Sequence, residues 1–193
     1  MHSNPRVAAI CGSLNDDSKT RVGLESALDA ASAAGATTDL IDLRDYELLP
    51  YGLEGRDASD ATGLRRRVRE ADAVLLGTPV YHGSFSGAMK NALDYCERAD
   101  FEGTAVASLA VAGGSFPGST LEHLREVALT LDAWPLPHEV AVPNSGATVG
   151  ADAVRDDDVE RRVRELGEEL TRYAGVECYP EAVAPAAGPT SVD

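Results

Sequence analysis

Lysine is scarce in this chain: of 17 basic residues only Lys19 and Lys90 are lysines, and they stand against 32 acidic residues. The net charge of −15 argues against general nucleic-acid binding, which needs a basic surface. The local basic run Arg65–Arg67, with Arg69, is expected to be a solvated helix face. High salt screens repulsion between carboxylates while the net charge preserves solubility, so the composition is typical of a protein from a salt-accumulating halophile.

Metal-binding and membrane signals are also missing. The three cysteines form no Cys-x-x-Cys pair and the four histidines lack metal-ligand spacing, so neither a zinc site nor an iron–sulfur cluster is expected. No apolar stretch reaches the length of a membrane span, and no signal peptide is recognisable before the first predicted strand. These features predict a cytoplasmic protein with no membrane partner.

What the sequence does have is an alternation of short apolar runs with segments of helical spacing. Continuous apolar runs are typical of buried parallel strands, and apolar residues three and four apart are typical of helices. The strands are predicted at residues 6–11, 37–43, 73–76, 105–110 and 138–142, and the last helix at residues 156–174.

This alternation implies an α/β fold, a doubly wound five-stranded parallel sheet between two helical layers with right-handed crossovers. The strand order 2-1-3-4-5 is preferred because it brings the loops after strands one and three together at the switch point, where such sheets bind ligands. At 193 residues the chain fits one domain. We expect the domain to span residues 1–174, and residues 175–193, rich in proline and alanine, to form a flexible tail.

The stretch from Gly77 to Asp94 is the most informative part of the sequence. After the apolar run 73–76, the Gly-Thr-Pro sequence is predicted to break the strand and open a loop of small residues, followed by a helix beginning near Ser86. Such a loop presents backbone N–H and C=O groups edge-on to a flat ring, although a purely structural loop is the alternative. The residues expected around the ring are Thr78, Pro79, Val80, Tyr81, His82 and Gly83.

A second loop, rich in hydroxyl groups, follows the first strand. Hydroxyls together with the free N–H groups of a helix N-terminus fit a phosphate monoester. The alternative is ordinary N-capping of the helix by a serine or aspartate of the loop. The residues expected at the phosphate are Gly12, Ser13, Asn15, Ser18 and Thr20.

A third segment closes the fourth strand with Gly113, Gly114 and Ser115. A Gly-Gly pair most often only marks a turn. Its interpretation as a ligand contact therefore depends on the other two loops.

Together the segments resemble the NADPH-dependent FMN reductase family, a flavodoxin-like group that includes quinone and azo-dye reductases. Gly12, Ser13, Ser18 and Thr20 match its Gly-Ser-x-Arg-x-x-Ser-x-Asn/Thr loop. Its Pro-Glu-Tyr-Asn-Gly-Ser-x-x-Gly-x-Leu-Lys-Asn-Ala-Leu-Asp segment is matched by Pro79, Tyr81, Gly83, Ser84, Gly87, Lys90, Asn91, Ala92, Leu93 and Asp94. The resemblance covers about residues 6–142 and implies a flavodoxin-like fold.

The resemblance also implies an activity. NADPH or NADH would pass a hydride to bound FMN, and a small acceptor such as a quinone, a flavin or an azo compound would then take the electrons. The first loop would hold the FMN phosphate, and the other two segments would lie beside the ring. No catalytic acid or base is expected, because the hydride chemistry belongs to the cofactor. Family members commonly form dimers or tetramers, so a homodimer or homotetramer is expected.

The chain departs from the family pattern at several positions. Asn15 replaces an arginine that approaches the phosphate, and Asp16 and Asp17 add negative charge nearby, which together predict modest FMN affinity. Val80 replaces a frequent glutamate. His82 replaces a frequent asparagine, and either a hydrogen bond to the ring or a solvated position fits it.

Three alternatives remain open. A dinucleotide-binding dehydrogenase domain needs G-x-G-x-x-G after the first strand, where Gly12 stands alone. A flavodoxin-type electron carrier usually covers its flavin with aromatic side chains, which are few here. A flavin-free binding module is favoured by Asn15, Asp16 and Asp17.

Overall fold

Parallel strands form the centre of the molecule, and helices cover the sheet on both faces. The computed structural model describes residues 4–53, 59–114 and 116–176 of the 193. Within them the strands are β1 (Arg6–Cys11), β2 (Thr37–Asp42), β3 (Ala73–Tyr81), β4 (Ser84–Phe85), β5 (Ala105–Val111) and β6 (Trp134–Val142). The helices are α1 (Lys19–Ala33), α2 (Ser59–Arg69), α3 (Gly87–Tyr95), α4 (Arg98–Phe101), α5 (Gly118–Thr130), α6 (Ser145–Thr148) and α7 (Asp157–Tyr173).

The sheet order is β2-β1-β3-β5-β6, with every neighbouring pair parallel. This confirms the α/β class and the predicted spatial order of the five main strands. The sixth strand was not predicted: β4 is two residues long and pairs antiparallel with the end of β3. The order places the carboxyl ends of β1 and β3 side by side.

Several predicted boundaries shift. β6 begins at Trp134, four residues before the prediction, because its prolines at 135 and 137 are tolerated on an edge strand. β2 ends at Asp42 instead of Leu43, and a single 3₁₀ turn, Leu43–Asp45, follows it. The predicted last helix is confirmed as α7, where Asp156 is the N-cap and accepts a hydrogen bond from Val159 N at 3.0 Å.

Two buried apolar clusters lie on opposite faces of the sheet. One joins the sheet to α1 and α7, and the other joins it to α2, α3, α4 and α5. α1 and α7 approach so closely that a Cβ on Gly167 would stand 2.0 Å from the Ala27 carbonyl oxygen. In the described part of the chain no helix has both the length and the apolar character needed to cross a bilayer.

The arginine run on α2 is part of an ion-pair network. Arg65 Nε donates to Asp100 at 2.7 Å, Arg69 contacts the same fully buried carboxylate, and Arg67 pairs with Asp39. Burial alone would raise the pKa of Asp100, but hydrogen bonds from Arg65 and neighbouring donors hold it below its ordinary value. The expected solvated face is therefore wrong for Arg65 and Arg67, because carboxylates on adjacent elements face them.

The predicted tail lies almost wholly outside the described residues. Only its first two residues, Gly175 and Val176, are described, and Gly175 N donates to Asp72 O at 3.4 Å. The tail from residue 177 onward stays a prediction.

Candidate active site

Gly12 begins the loop between β1 and α1, and it is packed against protein on its side-chain face. A Cβ there would lie 2.9 Å from Met89 Cβ and 3.1 Å from Ser86 Oγ. Its N–H donates to Gly77 O at 2.8 Å. Gly12 therefore allows α3 and the end of β3 to approach the first loop closely.

The hydroxyl groups of this loop are buried. Ser13, Ser18 and Thr20 are each 5% exposed or less. Ser18 is the N-cap of α1, and its Oγ accepts from Arg21 N at 3.0 Å, which is the capping role that the sequence left open. A capping hydroxyl keeps its own proton available to donate.

The start of α1 offers donors as well. Among the described residues the backbone N–H groups of Lys19 and Thr20 have no acceptor, as expected in a first helical turn. Unpaired N–H groups at a helix N-terminus attract anions, so this donor set fits a phosphate monoester.

The charges around the loop were only partly predicted. Asn15, Asp16 and Asp17 are exposed, and Lys19 points away, donating to Gly150 O at 2.7 Å. Arg44, just past the end of β2, has its Nη1 3.5 Å from Asn15 O and 3.8 Å from Asp16 Oδ1. Sequence reasoning missed Arg44. The available signal was its position after a strand, because the carboxyl ends of parallel strands meet at one edge of the sheet.

A carboxylate fixes the Arg44 guanidinium. Arg44 Nε donates to Asp42 at 3.0 Å, and Nη2 donates to the same side chain at 2.6 Å. Burial by itself would raise the pKa of Asp42, but these hydrogen bonds and the guanidinium charge keep it below its ordinary value. Asp42 in turn raises the pKa of Arg44, so the pair stays ionised.

The sequence predicted that β3 breaks at Gly77, but the strand continues to Tyr81. Pro79 lies in register with Val111 of β5. β1 ends at Cys11, opposite Gly77, so Pro79 has no partner on β1, and a residue without an N–H fits there. Thr78, Pro79, Val80 and Tyr81 are therefore strand residues.

The small-residue loop is a tight hairpin turn. His82 and Gly83, both with positive φ (51° and 78°), join β3 to β4, and Tyr81 pairs with Ser84. Two left-handed residues in a row are typical of a type I′ turn, whose twist matches the strands. Tyr81, His82 and Gly83 are exposed, with Tyr81 at 50%.

The hairpin is fastened to α5. Ser119 Oγ donates to Gly83 O at 2.8 Å, and Ser84 Oγ lies 3.1 Å from His123 Nδ1. These contacts fix the turn although its side chains are exposed.

A buried polar junction joins the first loop to the end of β3. Ser86 Oγ donates to Gly12 O at 2.6 Å and accepts from Met89 N at 3.1 Å as the N-cap of α3. Ser86 N donates to Thr78 Oγ1 at 2.9 Å. Ser86, absent from the predicted site, therefore joins the first loop to the end of β3.

Gly113 and Gly114 follow β5 and face open space. Both are exposed, and among the described residues beyond the chain neighbours a Cβ on either would meet no atom within 4 Å. Their backbone is held in place, since Asn144 N donates to Gly114 O at 2.8 Å. Ser115, the third member of this predicted group, lies outside the described residues.

The matched residues of α3 have structural partners. Asn91 Oδ1 accepts from Tyr51 N at 2.8 Å, and its Nδ2 donates to Leu49 O at 3.0 Å, so this amide holds the connection after β2 against α3. Lys90 pairs with Asp94 along the helix at 2.5 Å.

A cleft of about 720 Å³ lies on the β2 side of the first loop, between that loop, the connection after β2 and the start of α3. Leu14, Asp16, Arg44, Leu48 and Gly87 contribute to its lining. None of the residues predicted to contact a cofactor lines it. The residues predicted to contact the ring lie on the other side of the loop, at the ends of β3 and β5, whereas the first loop, the predicted phosphate position, borders this cleft through Leu14 and Asp16. Among the described residues no group of three or more His, Cys, Asp or Glu side chains is arranged to hold a metal ion.

Comparisons with known proteins identify the family of the chain. Residues 5–147 match the family described as NADPH-dependent FMN reductase. The chain is 37% identical over 134 residues to a probable NADPH:quinone oxidoreductase 1 of Oryza sativa subsp. japonica, covering 66% of this chain and 68% of that protein. It is 35% identical over 141 residues to an NADPH azoreductase of Bacillus sp. strain OY1-2, covering 72% and 78%.

Solved structures show the same fold at lower identity. The apo form of an NADH:FMN oxidoreductase, EMOB, superposes with a TM-score of 0.74 at 23% identity, covering 88% of this chain and 90% of that one. The NAD(P)H:acceptor oxidoreductase FerB from Paracoccus denitrificans gives a TM-score of 0.74 at 20% identity, covering 88% and 97%. The match over residues 5–147 and the sequence relatives together establish that this chain belongs to the NADPH-dependent FMN reductase family, and that it is an FMN-dependent oxidoreductase.

Proposed function

We propose that the protein transfers a hydride from NADPH or NADH, through bound FMN, to a small acceptor such as a quinone, a free flavin or an azo compound. Family membership and the quinone and azo reductases among the relatives support this. The observation that carries it is the open rim at the ends of β3 and β5, where Tyr81 is half exposed and Gly113 and Gly114 border empty space. A flat ring lying there would keep one face accessible.

The first loop is our candidate for the FMN phosphate. Its contacts would come from the N–H groups at the start of α1 and from the loop residues Gly12, Ser13, Asn15, Ser18 and Thr20. The side chains of Ser13, Ser18 and Thr20 are buried, so the donors available to a phosphate are backbone N–H groups and rotatable hydroxyl protons.

The ring contacts would come from Thr78, Pro79, Val80, Tyr81, His82 and Gly83, and from Gly113, Gly114 and Ser115. Thr78 is fully buried and hydrogen-bonded to Ser86, so it would support the ring through the backbone. His82 is exposed on a turn that α5 fixes, which suits a hydrogen bond to a ligand edge.

When bound, FMN supplies the acceptance and release of the hydride. The residues of this chain would orient the ring, donate backbone hydrogen bonds and leave one ring face open. No described titratable group is needed as a general acid or base.

We further propose a cytoplasmic homodimer or homotetramer adapted to high salt, on the basis of the family and the acidic composition. Light scattering after size exclusion tests the assembly. The salt proposal predicts that the thermal midpoint rises with molar KCl, because screening relieves carboxylate repulsion. A flat or falling midpoint would contradict it.

The decisive experiment is an absorbance spectrum. The protein, purified in high salt, is mixed with FMN, passed through gel filtration and then treated anaerobically with NADPH. Retained flavin bands that bleach support the proposal. Retained bands that persist indicate an electron carrier, and a flavin-free eluate indicates a binding module or affinity too weak for this role. Turnover with a quinone and with an azo dye then identifies the acceptor class.

A further inference from the structure

The first loop has no cation of its own aimed at the proposed phosphate position. Asn15 is neutral, and the Lys19 ammonium group is bonded to Gly150 O. Arg21, in the first turn of α1, lies 3.4 Å from Glu25 along its own helix. The loop instead carries two exposed carboxylates, Asp16 and Asp17.

A cation reaches this loop from the neighbouring strand. Arg44 is 23% exposed, and its Nη1 stands 3.5 Å from Asn15 O. Asp42 engages Nε and Nη2, so the opposite edge of the guanidinium, at Nη1, faces the loop. An arginine has five N–H donors in a rigid fork and can bind a carboxylate on one edge and a second anion on another.

We propose that Arg44 is the phosphate-binding cation of the β1–α1 loop and contacts the phosphate of FMN through its Nη1 edge. This inference rests on the proposed function and names one residue in its cofactor site. The buried Asp42 orients the fork in advance, so little side-chain freedom is lost on binding. Asp16 Oδ1, 3.8 Å from Nη1 on a fully exposed side chain, turns to solvent when the phosphate takes its place.

Comparing FMN with riboflavin tests this directly, since the two differ only in the phosphate. Fluorescence titration of apoprotein gives the Kd of each flavin, and the ratio of the two isolates the phosphate contribution. Arg44→Gln is expected to weaken FMN binding about tenfold while riboflavin binding changes less than about twofold. Arg44→Lys, which keeps the charge but loses the fork, is expected to fall between.

Two controls separate phosphate binding from structural damage. Arg44→Gln leaves Asp42 without its main partner, so the double variant Asp42→Asn/Arg44→Gln restores a neutral pair, and a thermal melt checks that it folds. It is expected to show the same lowered preference for FMN over riboflavin. Arg21→Gln removes a positive charge from the same helix start and is expected to leave the ratio unchanged.

An unchanged ratio in Arg44→Gln and in the double variant overturns the inference while the proposed function stands. Equal weakening of both flavins also overturns it, because Arg44 would then only shape the loop. If the wild-type protein binds neither flavin, the proposed function fails and the inference fails with it.

Discussion

Gly12 and Gly113 each lie within two residues of the carboxyl end of a parallel strand, yet their surroundings are opposite. At Gly12 the space for a side chain is filled by Met89 and Ser86, whereas a Cβ on Gly113 would lie more than 4 Å from every described residue other than its chain neighbours. The first glycine lets two protein segments meet, and the second leaves room for something else. A glycine in a loop of this fold can therefore mark either close packing or open space, and only the structure distinguishes the two.

The largest expected effect is a loss of stability at Gly12, the glycine that is packed against protein. Gly12→Ala puts a Cβ 2.9 Å from Met89 Cβ and 3.2 Å from Gly77 O, so the free energy of unfolding should fall by about 1–3 kcal/mol. Urea denaturation measures it. Gly63→Ala in α2, where a Cβ meets no neighbour, is the matched control and should stabilise slightly. Equal midpoints for the two variants would contradict the comparison.

Asp42 is also buried, and replacing it should lower the free energy of unfolding by a smaller amount that depends on pH. Its folded pKa lies below its unfolded value, so its contribution to stability is present above the unfolded value, near 3.8, and disappears as pH falls through the folded value. Asp42→Asn should cost about 1.5 kcal/mol at pH 7 and progressively less in acid. Urea melts from pH 7 to pH 3 test this.

The exposed Asp45, three residues away, provides the comparison for that series. Asp45→Asn should change stability by less than about 0.5 kcal/mol at every pH. A pH-independent loss in Asp42→Asn would show that packing, and not charge, holds Arg44.

On the open side the expected effect is on binding. Gly114→Val should leave the urea midpoint unchanged, because no atom opposes the new side chain, and should weaken FMN about tenfold, about 1.4 kcal/mol, by occupying the ring position. Fluorescence titration and urea melts on the same sample separate the two. Unaltered FMN affinity would show that the ring does not lie beside the end of β5.

The smallest effect is expected at the hairpin. Tyr81→Ala removes a half-exposed ring and should weaken FMN by a few-fold, about 0.5–1 kcal/mol, with the fold intact. Gly83→Val is a poor probe of the same position, because the φ of 78° at Gly83 strains a branched side chain. Phe85→Leu, at the partly buried other end of the hairpin, is the control and should leave FMN affinity unchanged.

β1, β3 and β5 were predictable because parallel strands buried on both faces need nearly continuous apolar runs, such as residues 73–76 and 105–110. The hairpin was not predicted, because Pro79 signals a break unless one knows that β1 ends opposite Gly77 and leaves Pro79 without a partner on that strand. Loop positions of the candidate site were predicted from motif matches.

Arg44 and Ser86 were not predicted, because their contribution depends on which neighbours the sheet order brings to them. Arg44 meets residues 29 positions earlier in the chain, and Ser86 bonds to a carbonyl 74 positions away. No local sequence pattern indicates a contact between residues so far apart in the chain.

The bond from Ser86 to Gly12 has a consequence for how the site opens. It joins the start of α3 to the first loop, and the hydrogen bond from Gly12 N to Gly77 O joins the same loop to β3. Neither the first loop nor the start of α3 can detach without breaking a hydrogen bond between them. Their amides should therefore exchange with deuterium as one cooperative unit, while the exposed amides of residues 113 and 114 exchange first.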